Sequence, residues 1–334
     1  MKKRLLMLAI GAMTAAVAAE NLMTGGDFVV GLKDWRYLKT GKEMVHSVEN
    51  GMLKITGNEA NWGKPSPVSA IHKLGTMVPG KKYMLEVAVI SQVAEGKGKA
   101  ASILIRSIKD VNTSIAYNGI GGVDFGNPQK RIYNVVYTVP KNAVRCELYI
   151  QTKLAPGDVL WMDDIKVTPY EPETASEENL VKNGDFSRVL LESWTGFFKE
   201  VREKYMYILP DGNGEGNNCL AVTGNKSKCV STFVQTVPKM DPAKTYVITA
   251  NINAGLTDLT GKKVELTVRS ADKNNKTLSY KGFAVALGHK GWRQYRAEIK
   301  VHPDTFKNQF YISASGFVPG DMVLIDDIKL IPAE

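Results

Sequence analysis

The sequence predicts an all-β protein built from two tandem β-sandwich domains. Three observations carry that reading: the second half of the chain repeats the first, the apolar runs are short and strand-like, and no amphipathic period is sustained long enough for a major helix. Length agrees, since 334 residues suffice for two domains that each bury a core unaided. Hydrophobic residues at 44% and charged residues at 23% exclude a disordered, collagen-like or coiled-coil chain.

Residues 1–19 open with Lys2, Lys3 and Arg4, continue through the apolar stretch Leu5 to Ala12, and end on the small residues Ala16, Val17, Ala18 and Ala19. This is the three-part layout of a secretory signal peptide cut before Ala19 or Glu20, and the apolar stretch is short for a bilayer span. A secreted, periplasmic or cell-surface protein without a transmembrane segment is expected. Removing the three basic residues lowers the formal net charge from +9 to +6, and the remaining Lys and Arg are scattered, which speaks against a nucleic-acid partner.

The repeat organises the rest. Asn21-Leu-Met-Thr-Gly-Gly-Asp-Phe28 is answered by Asn179-Leu-Val-Lys-Asn-Gly-Asp-Phe186, and Trp35 by Trp194. Pro79-Gly-Lys-Lys-Tyr83, Tyr117-x-Gly and Gly157-Asp-Val-Leu-Trp-Met-Asp-Asp-Ile-Lys166 each recur 163 residues later, at Pro242, Tyr280 and Gly320. The first domain therefore spans residues 20–170 and the second 179–334. Between them the acidic, proline-bearing segment 171–178 reads as a linker. Strands are expected in the β-branched runs at Tyr83 to Ile90, Ala101 to Ile108, Tyr133 to Val139 and Val264 to Ser270.

Cys219 and Cys229 lie in strand-like runs on either side of a Gly-Asn-Lys turn and form the plausible disulfide in an oxidising compartment. Cys146, in an alternating run, reads as a buried thiol. No CxxC or HExxH occurs, so zinc has no visible home.

The order Asn-Leu-x-x-Asn-Gly-Asp-Phe, a following Trp, Gln235-Thr-Val with Pro-x-Lys-Thr-Tyr246, Gly291-Trp-Arg-Gln-Tyr295 and the closing Leu-Ile-Asp-Asp-Ile-Lys-Leu resembles family 4/9 carbohydrate-binding modules, in two copies. That resemblance implies galactose-binding-like jelly-roll sandwiches and a polysaccharide or glycan partner. It also implies a structural calcium held by Asp27 with Asp164 and by Asp185 with Asp327. Val29 and Ser187 stand where the family has an acidic residue, and Lys130-Arg-Ile-Tyr133 replaces its Trp-x-x-Tyr.

Sugar recognition needs exposed aromatic planes flanked by polar groups, so aromatics in turns count for most. Trp62, in a polar Gly- and Pro-bearing loop, reads as a platform or as a loop anchor. Trp35 and Tyr37 would share one strand face and are candidates for ligand contact, although the recurrence of Trp35 as Trp194 argues more strongly for core. Tyr117 and Tyr280 fall on a strand resembling those that line the family's groove, and Tyr205 and Tyr207 again stand two apart. Trp161 reads as packing and Trp292 as core. The loop from Asp211 to Asn218 has oxygen side chains at alternate positions, but Val222 stands where a calcium loop has its bidentate acid, so it reads as a turn.

Catalytic constellations are missing: the four histidines are isolated, no G-x-S-x-G elbow occurs, and the adjacent aspartates of each Asp-Asp pair would point to opposite sheet faces. With both repeats filling the mature chain, a non-enzymatic glycan-binding protein is expected. The alternative is a structural or adhesive envelope protein that uses the same sandwich for protein contacts.

Overall fold

The computed structural model describes residues 20–37, 46–62, 68–94, 97–110, 113–123, 125–126, 129–172, 179–188, 191–196, 205–210, 212–214, 217–224 and 230–333. The expected signal peptide and most of the expected linker lie outside the described residues.

In the first domain the strands are β1 (Trp35–Tyr37), β2 (His46–Glu49), β3 (Met52–Thr56), β4 (Val68–Lys73), β5 (Lys82–Gln92), β6 (Ala100–Ile108), β7 (Ser114–Ile120), β8 (Arg131–Thr138), β9 (Arg145–Lys153) and β10 (Val159–Pro169). A single helical turn, α1 (Glu59–Trp62), interrupts them. The second domain has β11 (Thr195–Gly196), β12 (Met206–Leu209), β13 (Cys219–Thr223), β14 (Ser231–Val237), β15 (Tyr246–Ala254), β16 (Lys263–Ala271), β17 (Thr277–Ala284), β18 (His289–Ile299), β19 (Lys307–Ser315) and β20 (Met322–Pro332).

Each domain is two five-stranded antiparallel sheets. The first has the orders β1-β4-β9-β6-β7 and β2-β3-β10-β5-β8, and adding ten to each strand number gives the second domain's orders. Alternation builds the cores: Ala101, Ile103 and Ile105 of β6 and Cys146, Leu148 and Ile150 of β9 point inward, leaving Arg106, Glu147 and Tyr149 on the outer face. Trp35 and Trp194 are both core residues. Trp35 stacks on Phe28 at 5.8 Å, and Trp194, fully buried, stacks on Phe233 at 5.9 Å. At this scale of burial each ring contributes roughly 2–3 kcal/mol or more.

The repeated sequence motifs close the sandwiches. The Asn21 side-chain oxygen accepts from the backbone N–H groups of Met23 and Val167, and that of Asn179 accepts from Val181 and Leu330, tying each domain's first segment to its last strand. Gly26 and Gly184 lie so close to that strand that a Cβ would sit 2.1 Å from the carbonyl oxygens of Ile165 and Ile328. Phe28 and Phe186, in the same motifs, adopt left-handed backbone at φ 54° and 49°. Asp164 and Asp327 do likewise at φ 52° and 49°, on bulges that shift the pairing of β10 and β20 with β5 and β15.

A repeated ion pair braces each domain: Lys99 Nζ lies 2.8 Å from Asp158 and Lys262 Nζ 2.8 Å from Asp321, all four side chains at most 13% exposed. Between domains, the Arg131 guanidinium of β8 covers the Tyr207 ring of β12 at 3.9 Å, and the Tyr207 hydroxyl donates to Gln129 at 2.9 Å. Ile132 packs against the second domain's core.

Cys219 is a free, fully buried thiol, and Cys229, its expected disulfide partner, lies outside the described residues. Trp292 is half-buried and outside the core cluster, a correction, because β18 is an edge strand with its alternate side chains exposed.

Candidate functional site

Sheet alternation assembles one repeated arrangement on the outer face of β9, β6 and β7 and again on β19, β16 and β17. In the first domain a row of paired positions runs Tyr117, Arg106, Glu147 across three strands, and the next row runs Gly119, Leu104, Tyr149. In the second, the corresponding rows are Tyr280, Arg269, Gln309 and Gly282, Thr267, Tyr311.

The tyrosines form matched pairs. Tyr117 is 49% exposed and meets the buried Tyr149 edge to face at 5.8 Å; Tyr280 is 54% exposed and meets the buried Tyr311 at 5.7 Å, both with rings at 87°. The glycine two residues on is required at both sites. A Cβ at Gly119 would stand 2.4 Å from the Ile103 carbonyl oxygen, and one at Gly282 would stand 2.1 Å from that of Leu266.

Beside each pair a guanidinium is held rigidly. Arg106 donates to the Ser114 hydroxyl and the Tyr149 hydroxyl, each at 2.5 Å, and to Glu147 at 3.3 Å. Glu147, almost fully buried, also pairs with Arg36 and lies 3.8 Å from Arg145. Arg269 donates to Thr277 at 2.8 Å, to the Asn275 side chain at 3.2 Å and backbone at 2.6 Å, and to Gln309 at 2.7 Å. Burial pushes the Tyr149 and Tyr311 hydroxyls above the usual phenol range, and the adjacent arginine opposes the rise in both. A face of this kind offers a ring plane for the C–H side of a sugar and fixed donors and acceptors for its hydroxyls.

Of the aromatics singled out by sequence, the structure brings Tyr117 and Tyr280 onto these faces. Trp62 ends α1, half-buried, with Lys153 Nζ 6.0 Å from its ring centre; Lys153 lies on β9 with the parity of Glu147 and Tyr149, so Trp62 flanks the same face. Trp35 is not presented to a ligand, because its strand turns it into the core. Tyr207 is likewise corrected: it is 6% exposed beneath Arg131, on the other sheet of its domain. Tyr205, half-exposed in the turn before β12, is on that side too, and the Tyr37 side chain lies outside the described residues.

Arg106, Arg269, Tyr149, Tyr311, Glu147 and Gln309 escaped the sequence reading. A signal existed, since Ile105-Arg-Ser107 and Val268-Arg-Ser270 recur at the common spacing of 163.

The aspartates expected to hold calcium do not fit such a centre. Among the described residues no group of three or more His, Cys, Asp or Glu side chains is placed to hold a metal. Asp164 and Asp327 stand by Lys166 and Lys329 at 3.6 and 3.0 Å, while Asp27 and Asp185 accept from the backbone N–H two residues on. Their neighbours are also engaged. Asp163 pairs with Lys130, and Asp326 accepts from Asn213 and Asn217, the loop read as a turn. Burial pushes the Asp326 carboxyl above the usual carboxylate range, partly offset by the Asn213 bond.

Between the domains a cleft of about 460 Å³ is lined by Glu86, Lys130, Asp164, Lys166 and Arg188, away from the tyrosine faces. No helix among the described residues is long and apolar enough to cross a membrane.

Residues 178–316 match the family described as "Carbohydrate binding domain". No curated protein matches the chain. Similar solved structures include the N-terminal CBM22-1-CBM22-2 tandem domain from Paenibacillus barcinonensis Xyn10C, at 15% identity and a TM-score of 0.37 over 96% of this chain and 99% of that one. The CBM22-1 xylan-binding domain of the same protein matches at 14% identity and a TM-score of 0.36 over 48% and 99%. The second domain thus carries the match to the carbohydrate-binding domain family, in a chain whose first domain repeats its sheet order strand for strand.

Proposed function

We propose that the chain is a secreted, non-catalytic protein that engages a polysaccharide through the tyrosine-bearing outer faces of both domains. The observation that carries this reading is the duplicated exposed tyrosine, Tyr117 and Tyr280, each set edge to face on a buried tyrosine beside a fixed arginine. A half-exposed ring in a strand forfeits burial, and its appearance at the same register in both copies is what a sugar platform requires. The match of residues 178–316 to the carbohydrate-binding domain family supports the ligand class. Two linked faces raise avidity on a repeating glycan through effective concentration.

Affinity electrophoresis of residues 20–334 against neutral and acidic plant, algal and host polysaccharides tests the reading. Retardation by one class that is lost in the Tyr117→Ala, Tyr280→Ala double variant is expected. A folded protein retarded by none of them would point to a sandwich used for protein contacts.

A further inference from the structure

The two faces differ in the partner of the arginine that stands beside the tyrosines. In the first domain Glu147 lies among Arg36, Arg106 and Arg145, so the arginine beside the tyrosines has a carboxylate partner. In the second domain Gln309 occupies the Glu147 position, Thr195 the Arg36 position and Lys307 the Arg145 position. Arg269 is 8% exposed, and all its acceptors, Thr277, Asn275 and Gln309, are neutral. Among the described residues it has no carboxylate partner.

Neutral acceptors satisfy the geometry of a guanidinium but leave its charge uncompensated where water is largely excluded. A ligand oxygen bearing negative charge, seated against Tyr280, would supply that compensation by taking the place of the Gln309 or Asn275 oxygen. Both residues are free to yield, since Asn275 is exposed and Gln309 half-exposed. Lys307, two residues from Gln309 on the same side of β19, adds a second cation to the face.

We infer that the second domain selects an acidic sugar, a residue bearing a carboxylate or sulfate beside Tyr280, where the buried arginine lacks the carboxylate that Glu147 supplies in the first domain. The inference rests on the reading of these faces as glycan-binding surfaces. It assigns the discrimination to Gln309 against Glu147, with Arg269 as the group that binds the anion.

The test is affinity electrophoresis of residues 20–334 in gels containing polygalacturonate, alginate or sulfated dextran, each beside its uncharged counterpart, the carboxyl-reduced or unsulfated polymer. At least one acidic polymer should bind about tenfold more tightly than its counterpart, and which one distinguishes carboxylate from sulfate. Gln309→Glu should remove about that tenfold, whereas Gln92→Glu, the same charge change at an exposed site on β5, should not. Because Gln309→Glu could disturb folding, Glu147→Gln serves as the converse, with tighter binding of the acidic polymer expected. Equal retardation by charged and uncharged polymers, or unchanged acidic binding in both Gln309→Glu and Glu147→Gln, overturns the inference while leaving glycan binding intact. Absence of retardation by every polymer, charged or not, overturns both.

Discussion

Arg269 donates to Gln309 at 2.7 Å, at the register position where Arg106 of the first domain meets Glu147 at 3.3 Å. The hydrogen bond is kept while the acceptor's charge is lost. Duplicated domains thus share a scaffold down to the paired tyrosines and diverge at the acceptor that meets the buried arginine.

Removing the exposed rings should separate binding from stability. Tyr117 and Tyr280 each bury only part of their surface, so Tyr117→Ala and Tyr280→Ala should each cost no more than about 1 kcal/mol in thermal or denaturant unfolding. A ring stacked on a sugar is worth on the order of 1 kcal/mol, so each variant should bind glycan roughly fivefold to tenfold more weakly. Large destabilisation with unaltered binding would make these tyrosines structural.

Much of the fold was legible because the repeated motifs perform backbone tasks that leave local traces. Asn21 and Asn179 bond the closing strand, and Gly26 and Gly184 admit it, so those residue types recur. The recurrence of Trp35 as Trp194 correctly suggested a core position. Reading the Asp-Asp pairs through family resemblance led instead toward calcium, because sequence does not reveal that lysines and asparagine amides already engage those carboxylates. Tyr207 was misread for a different reason. Its alternation places it on an outer face, and only the docking of Arg131 from the other domain buries it. Arg106 and Arg269 looked like ordinary polar positions of half-buried strands until the pairing of three strands set them beside the tyrosines.

The buried ion pairs predict an asymmetric mutational response. With the Lys262 side chain 4% and that of Asp321 13% exposed, Lys262→Met alone leaves an uncompensated buried carboxylate and should cost about 3–5 kcal/mol. Combining it with Asp321→Asn should recover part of that loss, visible as a higher denaturation midpoint than in the single variant. Equal midpoints for the two would mean that the pair does not couple.

Stability should fall on mild acidification through His46. Burial lowers this imidazole from about 6.5 to about 4, so the unfolded chain binds the extra proton more readily than the folded one. Its contribution is fully present above pH 6.5 and is lost as pH falls from 6.5 through about 4, amounting to roughly 3 kcal/mol. Urea midpoints measured from pH 7 to 4 should decline less steeply in His46→Leu than in the parent, and parallel curves would remove His46 as the cause.

Cys219 should be chemically silent in the native protein. It is fully buried, and burial together with the nearby Asp326 charge pushes its thiol up to about 12, leaving almost no thiolate at pH 8. Iodoacetamide should modify Cys219 only in denaturant, and there without any reductant, as read by peptide mass spectrometry. A requirement for reductant would instead restore the disulfide.

Chelation should leave the fold unaffected. Calcium needs six to eight oxygen ligands, usually including several carboxylates, and the carboxylates of Asp164 and Asp327 are instead placed beside Lys166 and Lys329. Those of Asp27 and Asp185 accept from backbone N–H groups in their own turns, and each Asp-Asp neighbour has its own partner. A bound cation would have to displace these ammonium and amide groups, losing their interactions as it gained its own. Calorimetric unfolding of residues 20–334 in EDTA and in millimolar calcium should therefore give the same midpoint. A midpoint several degrees higher with calcium would mean that the carboxylates rearrange around the ion, and Asp164→Asn and Asp327→Asn would then show which domain holds it.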